Sequence, residues 1–412
     1  MLRPISWLLF FGWSLLAGVA LKEASAEEPS WDQRISQVME ILPHAQLGAF
    51  RLQRDPDRPI LSYYGGIGLK RDENGEWTNY AISSHEEVDR LIQRCHAHGM
   101  TRICANIMFQ TTASNLLGPL PEVSDDAMFA YAVQQAHAHG IEVYADVPVF
   151  GRRRRDEPFI AANPGVFCED VNGDVDTSFF SPANSRVREY RIAVLMEALA
   201  QYPVDGIQLD FIRWESNDPV LKLAAICPFG YEPAMLDRFL EQHQLGADFV
   251  PQPEDRRFIQ ARADMVSLFI AELRQALVER GVSLPIGVYN SNGYGRAASL
   301  RNVCQDWQAW EQQNLVDEHS PMFYLDDRPL LISSLRSVLE IKRTNSKVFG
   351  PIFLDGPGEC GPENVEATAR EMIKAGCDGI WFCREMEVER YGLWPTVKRI
   401  SEWSLSDVRS QQ

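Results

Sequence analysis

Cationic charge is what this sequence is short of: 40 Lys and Arg stand against 57 Asp and Glu, a formal net charge of −17. So acidic a chain repels polyanions, which argues against nucleic acid and anionic membrane as partners. Nucleotide signatures are missing as well. No GxGxxG follows the first strand-like run and no GxxxxGK[ST] occurs, so dinucleotide and P-loop folds have no motif behind them. Beyond the first 26 residues no apolar run reaches the ~20 residues that a membrane-spanning helix needs.

The apolar run that does exist lies at the start. Arg3, the stretch Trp7 to Leu21 and Ala24-Ser25-Ala26 have the three parts of a secretory signal peptide. Cleavage is expected near Ala26, which makes the chain periplasmic or extracellular with no integral membrane association. An uncleaved anchor is the rival reading, and the shortness of the run speaks against it. Losing residues 1–26 takes the charge to −18. All eight cysteines lie in the mature part. Cys377 and Cys383 sit ~20 Å apart along one strand and cannot bond to each other. Cys95 and Cys104 read as buried thiols, and the loop residues Cys168, Cys227, Cys304 and Cys360 are the bridge candidates, with no pairing implied.

Periodicity then organises the chain. Trp31 to His44 has helical spacing and reads as a lid over the bottom of the fold. Leu47–Leu52 is the expected first strand, followed by a polar loop through Tyr63-Tyr64-Gly65-Gly66. A capping box at Ser84 and Glu87 opens a helix ending at Gly99, and Ser124-Asp125-Asp126 opens another ending at Gly140. Strands Thr101–Phe109 and Ile141–Val149 follow these helices. Further strands are expected at Val204–Phe211, Leu284–Asn290, Leu315–Tyr324, Lys347–Leu354 and Asp378–Arg384, with helices between them, and the tail 405–412 is expected to be disordered. Eight strands alternating with helices predict a (β/α)8 TIM barrel, class α/β, spanning 46–404 with extended βα loops and an N-terminal helical segment, 27–45.

The helix ends CHAHG (95–99) and AHAHG (136–140) repeat. Their histidines read as cations at helix C-termini before a capping Gly. A metal site there is the weaker reading, because these residues precede strands and so lie away from the face where barrels do chemistry. Neither a metal nor another cofactor is expected.

Strand C-terminal ends face that chemical side, and here they carry Asp146, Asp210, Asp326 with Asp327, Asp355 and Glu385. Tyr144, Trp214, Tyr289, Tyr324 and Trp381 sit among them. Carboxylates beside aromatic platforms suit sugar rings and glycosidic cleavage. In DGIQLDF, parity turns Ile207, Leu209 and Phe211 toward the helices and Gly206, Gln208 and Asp210 into the barrel. Asp205 lies ~16 Å below Asp210 on the other face, so Asp205, like Asp378 in the second Asp-Gly-Ile, reads as architectural. Parity from Gly379 puts Trp381, Cys383 and Glu385 inward. The candidate catalytic residues are Asp210, Glu385, Asp326 and Asp146. The candidate substrate-binding residues are Arg213, Gln208, Trp214, Tyr289, Asn290, Tyr324, Trp381 and Asp355. Arg152 to Arg155 read as a solvated charge run, or alternatively as a recogniser of acidic sugars. Asp170 to Asp176 reads as a turn around Asn172-Gly173, since the Gly and Glu of a calcium loop are out of place.

The run SFFSPANSRVREYRIAVLMEALAQYPVDGIQLDFIRW and the segment CQDWQAWEQQNLVDEHSPMFY resemble the glycosyl hydrolase-like 10 family of exported bacterial proteins. The resemblance covers Leu47 to Trp403. It implies a (β/α)8 barrel with a strand-four acid at Asp210 and a strand-six segment at Pro321, Met322 and Tyr324. The chitinase pattern DGxDxDxE is also distantly similar, but Gln208 and Ile212 replace its middle Asp and its Glu, which excludes that mechanism. Amylase-type barrels have Arg where Gln208 stands. The expected function is an exported glycoside hydrolase acting on a polysaccharide or oligosaccharide. The alternatives are a non-catalytic carbohydrate-binding barrel and a metal-dependent hydrolase using His319.

Overall fold

In the computed structural model, residues 29–411 are described apart from 51, 65–69, 72–76, 79–83, 108–114, 119–125, 217–225, 292–294, 326, 355–360 and 384; of 70–71, 77–78, 126–127 and 385–386 only the backbone is described. The expected signal segment and Cys360 fall outside these residues. Eight parallel strands close into a barrel: β1 (Ile60–Tyr64), β2 (Arg102–Asn106), β3 (Glu142–Pro148), β4 (Gly206–Asp210), β5 (Ile286–Ser291), β6 (Glu318–Met322), β7 (Lys347–Phe353) and β8 (Gly379–Cys383). β1 completes the ring by pairing with both β8 and β2. Helices between the strands are capped locally: Ser84 accepts from the Glu87 N–H, and Asn184 accepts from Arg186 and Val187 at the head of Ser185–Gln201.

Side-chain parity divides the core in two. Ile207 and Leu209 pack outward among the helices, while Ile60, Tyr289, Phe349, Trp381 and Cys383 form a separate cluster inside the ring. Deeper in the interior, Arg102 donates to Glu318 at 2.5 Å and to the Tyr144 hydroxyl at 2.8 Å. Although burial opposes ionisation, Arg102 holds the Glu318 carboxyl below its ordinary value. Gly206 is required here, because a Cβ on it would lie 2.4 Å from the Tyr144 ring.

The bottom rim repeats one clamp four times. The residue before each even-numbered strand gives its N–H to a carbonyl on the preceding strand, and its side chain accepts that same residue's N–H. Thr101 does this with Leu61, Asp205 with Val143, Asp317 with Ile286 and Asp378 with Val348. The three carboxylates also meet basic side chains from neighbouring segments, His137, Arg274 and Lys342. Asp205 and Asp378 are thus architectural, as parity implied, and Asp317 completes the set.

Three expectations need correction. Leu47–Leu52 is not a strand: Gly48 has φ +66°, and Phe50 stacks on His137 at 4.1 Å beneath the barrel. The helix Trp31–Glu40 is not the lid. It lies along the flank, with Trp31 edge-on to Phe159 and Tyr190 and Ile35 and Val38 buried, so Gly48, Phe50 and Leu52 line the bottom instead. The tail is ordered as the helix Leu405–Ser410, because Ser404 caps it and Leu405 and Val408 bury themselves.

Replacing Asp317 with Ala leaves the Ile286 N–H without its acceptor and takes the carboxylate from Arg274, which keeps the Leu315 carbonyl. The expected cost is about 1–3 kcal/mol, read as a lower urea midpoint at unchanged slope. An unchanged midpoint would show that the clamp contributes nothing to stability.

Candidate active site

The inward residues at the upper ends of β1, β4, β5, β6 and β8 converge on a cleft of about 210 Å³. Tyr64, Asp210, Phe211, Arg213, Tyr289, Met322, Tyr324, Trp381 and Cys383 line it. Tyr64 and Tyr289 meet edge to face at 5.5 Å, and Trp381 lies 5.3 Å from Tyr289. Pro321 fixes the indole by accepting its N–H at 3.2 Å.

Asp210 closes β4. Its Oδ2 accepts from the Tyr64 hydroxyl at 3.2 Å, and its Oδ1 accepts from the Phe211 N–H at 2.7 Å. Phe211 stands at φ +48°, a left-handed conformation a bulky side chain seldom adopts. This turn aims the N–H at the carboxylate and ends the outward parity, so Phe211 lines the cleft rather than facing the helices. Two guanidiniums flank its ring, Arg153 at 4.6 Å and Arg213 at 5.5 Å.

Asp146 lies one layer deeper. It pairs in register with Gln208 while Pro148 pairs with Asp210, so the two acids sit diagonally, with Cα atoms roughly 8 Å apart by strand geometry. Asn106 donates to Asp146 Oδ1 at 3.2 Å, and Oδ2, fully buried, has no hydrogen-bond partner among the described residues. Burial first, and then the charge of Asp210, pushes the Asp146 carboxyl well above the usual range. Burial also raises Asp210, but Arg153, the Phe211 N–H, Arg213 and the Tyr64 hydroxyl oppose that rise. Of the two, Asp210 is therefore the acid that ionises first and Asp146 the one that keeps its proton to higher pH. Tyr64, itself raised by burial and by Asp210, remains a donor.

Of the residues proposed from sequence, the structure brings Asp210, Arg213, Tyr289, Tyr324 and Trp381 to the cleft. Asp326 and Asp355 lie outside the described residues, and Glu385 opens the helix Glu385–Arg390 with its side chain undescribed. Five placements differ from expectation. Trp214 is fully buried and donates its N–H to the Arg262 carbonyl. Asn290 follows the inward Tyr289, so parity turns it outward, where it bonds His319. His319 in turn pairs with Glu311 on the helix side, away from the mouth. Gln208 points inward but stays buried below the cleft, its Oε1 occupying the space above Gly287. Tyr144 also lies low, bound to Arg102 and Glu318. Cys168, Cys227 and Cys304 are buried free thiols, so no bridge joins these three. The Asp170 to Asp176 segment is a turn in which Asp170 accepts from Asn172 and Asp174.

Sequence reasoning missed Tyr64, Phe211 and Arg153. Tyr64 was findable, since ILSYY is a strand-like run of β-branched and aromatic residues ending in Gly-Gly. The other two carried no signal, because their roles come from a backbone turn and a long-range neighbour.

A family model described as glycosyl hydrolase-like 10 matches residues 125–348, more than half of the chain. The chain belongs to the glycosyl hydrolase-like 10 family. The matched segment of this glycosyl hydrolase-like 10 chain contains β3 through β6 and hence Asp146 and Asp210. Its fold is similar to that of a β-galactosidase from the psychrophilic Marinomonas ef1, at 11% identity and a TM-score of 0.57, over 85% of this chain and 62% of that one. It is likewise similar to α-L-fucosidase isoenzyme 2 from Paenibacillus thiaminolyticus, at 13% identity and a TM-score of 0.56, over 86% and 50%. The chain thus spans less than two thirds of either enzyme, and the likeness is one of fold. A search of curated proteins returns no match.

Because the folded-state value of Asp146 is raised, the stabilising effect of its neutral form is complete below the unfolded value of about 3.9. It is lost as pH rises through the folded value. Asp146→Asn keeps the shape and removes this loss. The variant is expected to lose less stability than wild type between about pH 4 and 8 in denaturant titrations. A variant that loses as much as wild type over that range would mean that Asp146 ionises without penalty.

Proposed function

We propose that this chain is a glycoside hydrolase whose cleft holds a sugar ring against Tyr289, Trp381 and Tyr324 and presents Asp210 to the anomeric centre. The observation that carries this reading is Asp210 itself, a strand-end carboxylate in an aromatic cleft, whose ionised form two hydrogen bonds and two nearby guanidiniums favour against burial. Such a group serves as nucleophile or as base toward water, depending on how far its partner acid stands from it. Asp146 is absent from the cleft lining and keeps its proton to higher pH, so it acts through Asp210 as a positioning residue. The acid that protonates the leaving oxygen then comes from Glu385, Asp326 or Asp355. Glu385 is supported by its place two residues beyond Cys383, which lines the cleft. Export through an N-terminal signal belongs to the same proposal, as does a polysaccharide or oligosaccharide substrate.

One observation favours a second reading, a carbohydrate-binding barrel without catalysis. Among the described residues, Asp210 is the sole carboxylate lining the cleft. A glycan library separates the two. Wild type is expected to hydrolyse at least one member, and Asp210→Asn to lose at least about 10²-fold in rate while still binding it. Equal rates in the two proteins would remove Asp210 from the mechanism, and binding without hydrolysis by wild type would favour the second reading.

Tyr64→Phe deletes a hydrogen bond that favours ionised Asp210. The acid limb of the pH–rate profile is therefore expected to move to higher pH, with the basic limb unchanged. An unmoved acid limb would show that Tyr64 does not stabilise the anion.

A further inference from the structure

Beside the cleft lies a second cavity of about 300 Å³, lined by Arg152, Arg153, Arg154, Glu157, Thr177 and Ser178. Three consecutive guanidiniums face a single carboxylate there, in a chain with far more acids than bases. Glu157 is engaged by Arg152. Arg154 is exposed and, among the described residues, has no ion-pair partner within 4 Å. Arg153 is half-buried. One of its Nη atoms donates to the Arg152 carbonyl at 3.2 Å, and its buried Nε has no partner among the described residues. Arg153 also joins the two cavities, because its guanidinium lies over Phe211, a wall of the Asp210 cleft.

A surface charge run would point its heads into water and need no account. This one differs in two respects. A buried donor without an acceptor is destabilising, and Arg153, although the Asp210 carboxylate stands near as a counter-charge, keeps its Nε unpaired in the wall next to that carboxylate. In addition, Thr177 and Ser178, on the strand Val175–Phe180, line the cavity; the Ser178 hydroxyl donates to Asp176 and keeps its lone pairs as an acceptor for a sugar hydroxyl. Planar, permanently charged forks of this kind match carboxylate and sulfate oxygens.

We infer that the Arg152–Arg154 cavity is a subsite for an anionic substituent of the glycan, a carboxylate or a sulfate ester on a sugar unit neighbouring the one held at Asp210. The inference rests on the Asp210 cleft being a sugar site. It gives the guanidinium cluster Arg152–Arg154 a use in an acidic chain, since it offsets the repulsion an anionic polymer would otherwise meet. It also gives Arg153 two tasks, favouring the ionised form of Asp210 and closing one end of the anion subsite.

The test uses the full chain and two matched ligand pairs: an oligogalacturonate with its carboxyl-reduced form, and a sulfated galactan oligosaccharide with its desulfated form. Binding is measured by calorimetry with Asp210→Asn, which separates affinity from turnover. Arg154→Glu, at an exposed position, is added to it as a second change. In at least one pair the anionic member is expected to bind tenfold or more tightly than its neutral partner, with the advantage shrinking as salt rises and vanishing with Arg154→Glu. The pair that shows the effect tells carboxylate from sulfate. Equal binding within both pairs, no binding of any ligand, or an advantage that survives Arg154→Glu would overturn the subsite. Wild-type turnover is read in parallel. Anion-selective binding without hydrolysis would count against the hydrolase reading and leave the subsite standing, whereas hydrolysis of neutral members without anion preference would do the reverse.

Discussion

Two carboxylates cannot both be charged inside one water-poor barrel without a large penalty, and this constraint organises the upper half of the molecule. Among the described residues Asp146 has no cation in contact, only the more distant charge of Arg153, and one neutral donor, Asn106. Asp210 has the Phe211 N–H, the Tyr64 hydroxyl and two guanidiniums nearby. The asymmetry assigns the charge to the outer acid, which opens on the cleft, and the proton to the inner one. Several otherwise separate features follow from it. The positive φ of Phe211 supplies the N–H, β1 ends where it does to deliver Tyr64, and the loop after β3 returns Arg153 over the Phe211 ring.

Such a site needs a rigid frame, and the frame is set at the other end. Four clamps at the bottom rim join each odd-numbered strand to the next through a side chain and a main-chain bond at the same residue. Above them, the Arg102, Glu318 and Tyr144 network fills the lower interior, with Gly206 making room for the tyrosine ring. Slippage of one strand past its neighbour would break the clamps and the buried ion pair together. Strand register, and with it the height of Asp210 relative to Asp146, is therefore held from below.

The fold was largely legible in the sequence because a closed barrel alternates so regularly. Seven of the eight strands stand close to where periodicity puts them, and the period of two in GIQLD is enough to turn Asp210 inward and to exclude Asp205. The first strand was misplaced because LGAFRL and ILSYY are both short apolar runs, and what separates them is long-range: ILSYY has β2 and β8 on either side. The same limit applies to the site. Asn290 and Tyr289 cannot both face inward, so strict parity would have removed Asn290. Trp214 could not be judged that way, as it lies beyond the strand, and its indole turns into the core to meet the Arg262 carbonyl. Nothing local distinguishes Arg153 from Arg154, yet one lies over Phe211 and the other is exposed to solvent. The tail was misread because a helix of one and a half turns has no stability of its own, and its order depends on burying Leu405 and Val408.

The central claim, that the outer acid ionises first and the inner one keeps its proton to higher pH, is open to direct observation. Carbon-13 NMR of the aspartate side-chain carboxyls, followed from acid to alkaline pH, reports each ionisation separately. The account predicts one resonance that still has the protonated shift at neutral pH, is missing from Asp146→Asn, and titrates together with the Asp210 signal. A spectrum in which every aspartate is already ionised at neutral pH would contradict it.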